Sequence, residues 1–408
     1  MFKDIRMRGF QDRREVDAVI ALIDARVGVL TSQVVDLRSA AGRVLSEDMV
    51  AEVAVPAFDR AAMDGYALRG SETFGAGPYN PLEFEVIGQA LPGRAFAGRV
   101  EASQAVRIMT GAAVPEGADA VLPAEDAVEG SGCVRICAAV PPGRHVGRRG
   151  EDITAGTVVL RAGRVLRPQD VAVLAAIGAA QVPVIRQQRA TVVITGDELL
   201  PCGSRPEGCR IVDTNSVMVE ALVCRDGGLP EVRPLVPDTP QAVRDALAGA
   251  DGDIILVSGG SSVGQEDHAP QVLSELGELS IHGVAVRPDG PAGIGFLHGR
   301  PVFLLPGHPV SCLCAYDLFA GRAVRRLAGR SPQLPYRTCL LPLARKIASV
   351  VGRVDYVRVQ VGENCVEPIA ASGASILTST TRADGFVLVP RDSEGHAPGE
   401  QVLVHLYD

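Results

Sequence analysis

DIILVSGGSSVGQEDH, residues 253–268, runs from an apolar strand through glycines and serines into acids, and its reading decides the fold. A glycine-rich turn after a buried strand cradles phosphate, because backbone N–H groups approach an anion closely where no side chain intervenes. Gly259 and Gly264 have the spacing of the two P-loop glycines, but Gln265 and Glu266 stand where lysine and a hydroxyl residue belong. These residues argue against an ordinary P-loop. Glu266 and Asp267 repel a bare phosphate unless a divalent cation such as Mg²⁺ lies between them. The loop therefore asks for an anion that needs both a glycine cradle and a metal bridge.

Outward from this loop, residues 188–330 alternate strand and helix. ATVVIT (190–195), EVRPLV (231–236), DIILVS (253–258) and PVFLLPG (301–307) read as strands. SVMVEALVCRDGG (216–228) reads as a helix capped by Ser216, PQAVRDALAGA (240–250) as a second, and a long helix starts at Pro309. Such alternation implies a doubly wound α/β domain with a parallel sheet and ligands beyond the carboxyl ends of its strands. That rule gathers Gly196–Glu198, Gly259–Asp267 and Pro306–Ser311 on one rim. Asp197, Glu198, Glu266 and Asp267 then face one or more cations, with Ser258, Ser261 and Ser262 as hydroxyl donors. Taken singly, each turn reads equally well as a solvated loop or helix start; their convergence after strands of one sheet is what describes a pocket. No G-x-S-x-G nucleophile elbow is present. His268 and His308 are separated histidines, open as bases, ligands or neither. DTNS (213–216) lies at a helix start.

The remaining chain divides by composition. Residues 13–50 read as helical, 53–145 as a mostly β module of short apolar runs between Pro and Gly turns, and RPQDVAVLAAIGA (167–179) as a helix ending at Gly178. The expected organisation is a helical stalk from residues 1–52 and 146–187, an inserted β module at 53–145, the α/β domain at 188–330, and a small C-terminal β-barrel or sandwich at 331–408. A length of 408 residues is consistent with two to four domains. No apolar run of about 18 residues is present, and the charged N-terminus MFKDIRMRGFQDRREVDAVIALI lacks a secretory pattern, so a cytoplasmic protein is expected. Nine scattered cysteines without a CxxC pair suggest neither a zinc ribbon nor a disulfide framework. A net charge of −8 disfavours nonspecific nucleic-acid binding, and the one dense basic cluster is RHVGRRGED, residues 144–152.

In order along the chain, MDGYALR (63–69), RIMTGAAVPEGADAV (107–121), RRGEDI (148–153), TGDEL (195–199), DTNS, SGGSSVG with Asp267, and LPGHPVS (305–311) resemble the signatures of the molybdopterin molybdenumtransferase family, MoeA, which includes the E domain of gephyrin. The resemblance implies insertion of molybdate into adenylylated molybdopterin, with Mg²⁺-dependent release of AMP, by a homodimer whose cleft is shared between subunits. It implies partners upstream and downstream, an adenylyltransferase and the molybdoenzymes. It places Asp64, Thr110 and Asp152 in the cleft wall as catalytic residues, with Glu198 and Asp267, and gathers Glu198, Asp238 and Asp267 around the metal. Substrate contacts are implied for Ser258, Gly259, Gly260, Ser261, Ser262, Gly264, Asp213, Asn215, Arg287, Pro306, Gly307, His308, Ser311, Arg148 and Arg149.

Three departures stand out. The family's KPGKP is RPDGP here, residues 287–291, so Arg287 keeps a cation, Gly290 replaces the second lysine and Asp289 adds a negative charge. Gly147 takes the first place of a basic triplet, and Ala374 stands where some members have serine. Two other functions use the same α/β domain: an adenylyltransferase or nucleotide-pyrophosphate hydrolase, and a binding protein that holds the pterin nucleotide without turning it over.

Overall fold

A computed structural model describes residues 13–260, 267–288, 290–370 and 373–407. The chain forms two compact units: Met1–Gln33 with Gly42–Val44 and Val184–Asp408, and Val34–Ala41 with Leu45–Pro183. Among the described residues no helix is long and apolar enough to cross a membrane.

The first unit is built on a six-stranded sheet in the order Leu229–Val232, Arg189–Ile194, Ile254–Ser258, Arg300–Leu305, Gly293–Leu297, Glu278–His282. The first four strands are parallel, as the alternating pattern predicts, and the last two are joined on by antiparallel pairings. The reversal comes from a two-residue hairpin, His298 at φ 50° and Gly299 at φ 79°, the left-handed pair that such a turn requires. Side chains alternate across the sheet. Val192, Ile194 and Leu256 pack on one face with Val219 and Val223 of the helix Asn215–Arg225; Val193, Ile255 and Val257 pack on the other with Val243, Leu247 and Leu273 of two further helices.

Within residues 13–50 the helical pattern is realised only in part. Val16–Arg26 is an α-helix; Ser32–Asp36 is a strand, and SAAGRVL turns at Gly42, whose φ of 77° ends helical continuation. Val19 and Ile23 of that first helix lie in the same core as Ala190 and Val192, so the helix belongs to the α/β layer. Periodicity gives its buried face without saying what covers it.

The terminal sheet runs Val286–Arg287, Val354–Val361, Gly385–Val389, Gln401–Leu406, Arg337–Pro342. Its first strand comes from the α/β segment, upstream of the expected boundary at 331. One sheet face has its own valine-rich core. From the other, Tyr356 and Phe386 stack with ring centroids 4.0 Å apart and join the α/β core.

The second unit carries a β module whose strand order is Ala120–Pro123, Gly65–Leu68, Gln104–Ile108, Leu82–Ala90, Cys133–Ile136, Ala127–Glu129. Gly65–Leu68 is buried throughout, Tyr66 and Leu68 facing one cluster and Ala67 the other. The helix Pro168–Ala176 starts with proline in its first turn and is followed by Gly178 at φ 84°.

Candidate functional site

Three neighbouring parallel strands, ending at Ile194, Ser258 and Leu305, deliver their following turns to one edge of the sheet. Thr195, Glu198, Gly259, Gly260, Pro306, Gly307 and His308 accordingly line a single cavity of about 1100 Å³, joined by Asp213, Asn215, Asp238 and Asp267. Convergence of distant turns is thus the observed arrangement.

Gly259 and Gly260 hold φ of 92° and 54°, left-handed values that a side chain resists. A Cβ on Gly259 would stand 2.1 Å from the Thr195 carbonyl oxygen. The turn therefore needs glycine for conformation and for space, and its bare backbone is open to close approach by an anion. Gly307 lies against it, a Cβ there standing 3.6 Å from the Gly259 Cα.

Buried polar bonds hold the two turns in register. Asn215 Nδ2 donates to Ser258 Oγ at 2.9 Å and to the Gly307 carbonyl at 2.7 Å, and Ser258 Oγ donates to the Pro306 carbonyl at 3.1 Å. These two side chains, expected to meet substrate, spend their donors on the scaffold. Asp213 is likewise engaged, as an acceptor: its Oδ1 accepts from the N–H groups of Asn215 at 2.9 Å and Ser216 at 3.1 Å. The capping side chain is therefore that of Asp213, reaching past Thr214 at the N-cap position, while Ser216 sits inside the first turn, which corrects the expectation for Ser216.

The acids do not close into a cage. Asp238 and Asp197 exchange backbone-to-carboxylate bonds, Asp238 N–H to Asp197 Oδ1 at 3.2 Å and Asp197 N–H to Asp238 Oδ2 at 3.4 Å. Burial, reinforced by the charges of Glu198 and Asp197, pushes the Asp238 carboxyl above its ordinary value. Among the described residues no three His, Cys, Asp or Glu side chains gather tightly enough to hold a metal alone. The oxygen donors of Glu198, Asp238 and Asp267 on the cavity rim are of the type Mg²⁺ takes, one or two carboxylates completed by waters and substrate phosphates.

Other expected residues fall differently. Ser311 Oγ donates to the Pro288 carbonyl, pinning the loop after Val286–Arg287. Arg287 is outside the lining; its guanidinium pairs with Asp355, a fully buried carboxylate that Arg353 and Ser349 also satisfy. That contact holds the Arg287 guanidinium at a buried carboxylate, away from the cavity lining where substrate contact was expected. His308 precedes the helix Pro309–Ala315 but makes no side-chain capping bond. Ser261, Ser262, Gly264 and Glu266, with Asp289, lie outside the described residues. Pro291, Ser375 and Leu377 also line the cavity, and nothing in their sequence spacing marks them.

In the second unit, Asp64 Oδ1 accepts from both the N–H and the Oγ1 of Thr110, each at 2.7 Å. Those bonds hold the Asp64 carboxyl below the usual range. Arg148 pairs with Asp59 at 2.9 Å, and the Arg149 N–H donates to the same carboxylate at 2.8 Å. Asp152 lines a small cavity of about 290 Å³ with Ile153, Thr157 and Val173.

Comparison with known proteins covers nearly all of the chain. Three family models match in succession: "MoeA N-terminal region (domain I and II)" at residues 14–178, "Probable molybdopterin binding domain" at 191–326, and "MoeA C-terminal region (domain IV)" at 341–407. Molybdopterin molybdenumtransferase 2 of Mycobacterium tuberculosis is 35% identical over 386 residues, 91% of this chain and 94% of that protein. Molybdopterin molybdenumtransferase of Haemophilus influenzae is 30% identical, covering 92% and 94%. The crystal structure of the molybdopterin biosynthesis MoeA protein from Pyrococcus horikosii superposes with a TM-score of 0.83 at 31% identity, over 97% of this chain and 100% of that one.

Proposed function

The chain belongs to the MoeA family, and from that membership we propose that it inserts molybdate into adenylylated molybdopterin with release of AMP. The observation that carries this reading is the single cavity in which glycine turns and rim acids from three adjacent strands meet. Gly259 and Gly260 present backbone to a phosphate, and Asn215 with Ser258 keeps the facing Pro306–Gly307 turn at a fixed separation. Preorganised polar groups of this kind stabilise developing charge without reorganising during the reaction. Mg²⁺ would be held by one or two of Glu198, Asp238 and Asp267 together with the phosphates, and would supply the positive charge that lets a pyrophosphate approach carboxylates. Asp64, Thr110 and Asp152 take catalytic roles on the strength of their motifs. A homodimer and a cytoplasmic setting extend the reading by family resemblance.

The test is incubation of the purified protein with adenylylated molybdopterin, Mg²⁺ and molybdate, following AMP and cofactor together. AMP release coupled to cofactor formation is the expected result. Tight nucleotide binding without turnover would mark a binding protein instead. Activity confined to ATP and free molybdopterin would mark an adenylyltransferase.

A further inference from the structure

The cavity offers glycine backbone and acids, yet molybdate is a dianion that needs a cation of its own. Arg287 is outside the cavity lining, its guanidinium bonded to the buried Asp355. A different arginine is in place. Arg14 lies just before the first helix and bridges to Val284 in parallel, its N–H donating to the Gly283 carbonyl at 2.9 Å and its carbonyl accepting from Ala285 N–H at 2.8 Å. This short ladder fixes the neighbouring Arg13 beside Gly290. The Arg13 guanidinium stands 3.5 Å from where a Cβ on Gly290 would be, so the missing side chain leaves the space beside that guanidinium.

The loop is itself fastened. Gly283 N–H donates to the Ala292 carbonyl and Val284 N–H to the Gly290 carbonyl, both at 2.9 Å, and Ser311 holds the Pro288 carbonyl. Pro291, one residue on from Gly290, lines the cavity. Arg13 is exposed and has no hydrogen-bond or ion-pair partner among the described residues. An exposed arginine held beside Gly290, one residue from the cavity lining, with no partner among the described residues, is suited to meet an anion.

Resting on the function proposed above, we propose that Arg13 is the cation that recruits the oxyanion, at the Gly290–Pro291 edge of the cavity. Its five donors in a planar fork suit a tetrahedral dianion, and its exposure makes the attraction sensitive to salt.

Equilibrium dialysis of molybdate against protein saturated with pterin nucleotide tests this in the parent, Arg13→Gln, Arg13→Lys, Gly290→Lys and Arg13→Gln/Gly290→Lys. Loss of one charge-assisted contact is expected to weaken molybdate binding about tenfold in Arg13→Gln, with nucleotide affinity and thermal midpoint unchanged. Arg13→Lys should retain most of the affinity, and the double variant should recover it, because a lysine at 290 restores the charge from the facing turn. Raising ionic strength should erode molybdate binding in the parent more steeply than in Arg13→Gln. Unchanged molybdate affinity in Arg13→Gln, or equal losses for nucleotide and molybdate, would overturn the assignment. Either result leaves the transferase reading intact where the parent still forms cofactor, whereas a parent that binds molybdate through Arg13 but never forms cofactor sinks that reading alone.

Discussion

Thr110 grips one oxygen of Asp64 with two hydrogen bonds, from its backbone and from its hydroxyl, both 2.7 Å long. The pair joins the start of the strand Gly65–Leu68 to the turn after Gln104–Ile108, so the carboxylate is aimed by the sheet and not by its own rotamer. Thr110→Val removes the hydroxyl donor and leaves the N–H. The Asp64 carboxyl should then titrate at higher pH than in the parent, read from its ¹³C chemical shift. A titration midpoint that stays put would show that the hydroxyl bond does not form in solution.

Asp238 gives the opposite pH behaviour. Its folded-state carboxyl lies above the unfolded value because burial and two neighbouring acids disfavour the anion. The charged form therefore opposes folding at neutral pH, and the penalty disappears once pH falls below the unfolded value of about 4. Asp238→Asn should melt higher than the parent at pH 7 without Mg²⁺, and the gap should close in acid. Adding Mg²⁺ with nucleotide should raise the parent's midpoint more than the variant's. Equal midpoints across the pH range would remove Asp238 from the acidic rim.

The helix cap can be assigned by two substitutions. Asp213→Ala deletes the acceptor for two N–H groups and is expected to cost about 1 kcal/mol. Ser216→Ala should stay within about 0.5 kcal/mol, since that residue already lies in the helical turn. Urea unfolding monitored by circular dichroism distinguishes them, and a reversed order would return the cap to Ser216.

Gly259→Ala forces a methyl group to 2.1 Å from the Thr195 carbonyl at a left-handed φ. Strain of about 1–3 kcal/mol follows from conformation alone, and the turn must shift to relieve the contact. Nucleotide affinity, measured by calorimetry, should fall at least tenfold while the sheet persists in the far-ultraviolet spectrum. Retained affinity would mean that phosphate is held elsewhere.

Rim acids carry no core, so Glu198→Ala and Asp267→Ala should each impair Mg²⁺-dependent AMP release while shifting the thermal midpoint little. A stability loss as large as the activity loss would recast them as structural.

The α/β layer is legible in the sequence because a parallel sheet buries both faces and reads as successive apolar runs, and because its ligand edge follows from strand direction. The antiparallel edge is not: its hairpin signal is the dipeptide His298–Gly299, which lacks the alternation of polar and apolar residues that marks a hairpin. Roles at the site are harder to read than positions. Asn215 and Ser258 stand at the cavity as expected, but only three-dimensional bonding reveals that they stitch two turns together. Sequence leaves the Arg287 charge available, whereas the fold gives it to the distant Asp355; Gly290 reads as a lost charge, whereas the fold sets Arg13, from the far end of the chain, beside it. Long-range pairing of charges leaves no periodic trace.

The two-residue strand Val286–Arg287 pairs with Val354–Asp355, and Val310 N–H donates to the Ala374 carbonyl at 2.9 Å. A chain shortened to the nucleotide-holding layer would consequently lose a wall of its own cleft, with Ser375 and Leu377 gone and the tether of the Arg287 loop cut. The terminal sheet is a fixture of the binding chamber, and grafting or deleting it as a free-standing cassette would dismantle the chamber with it.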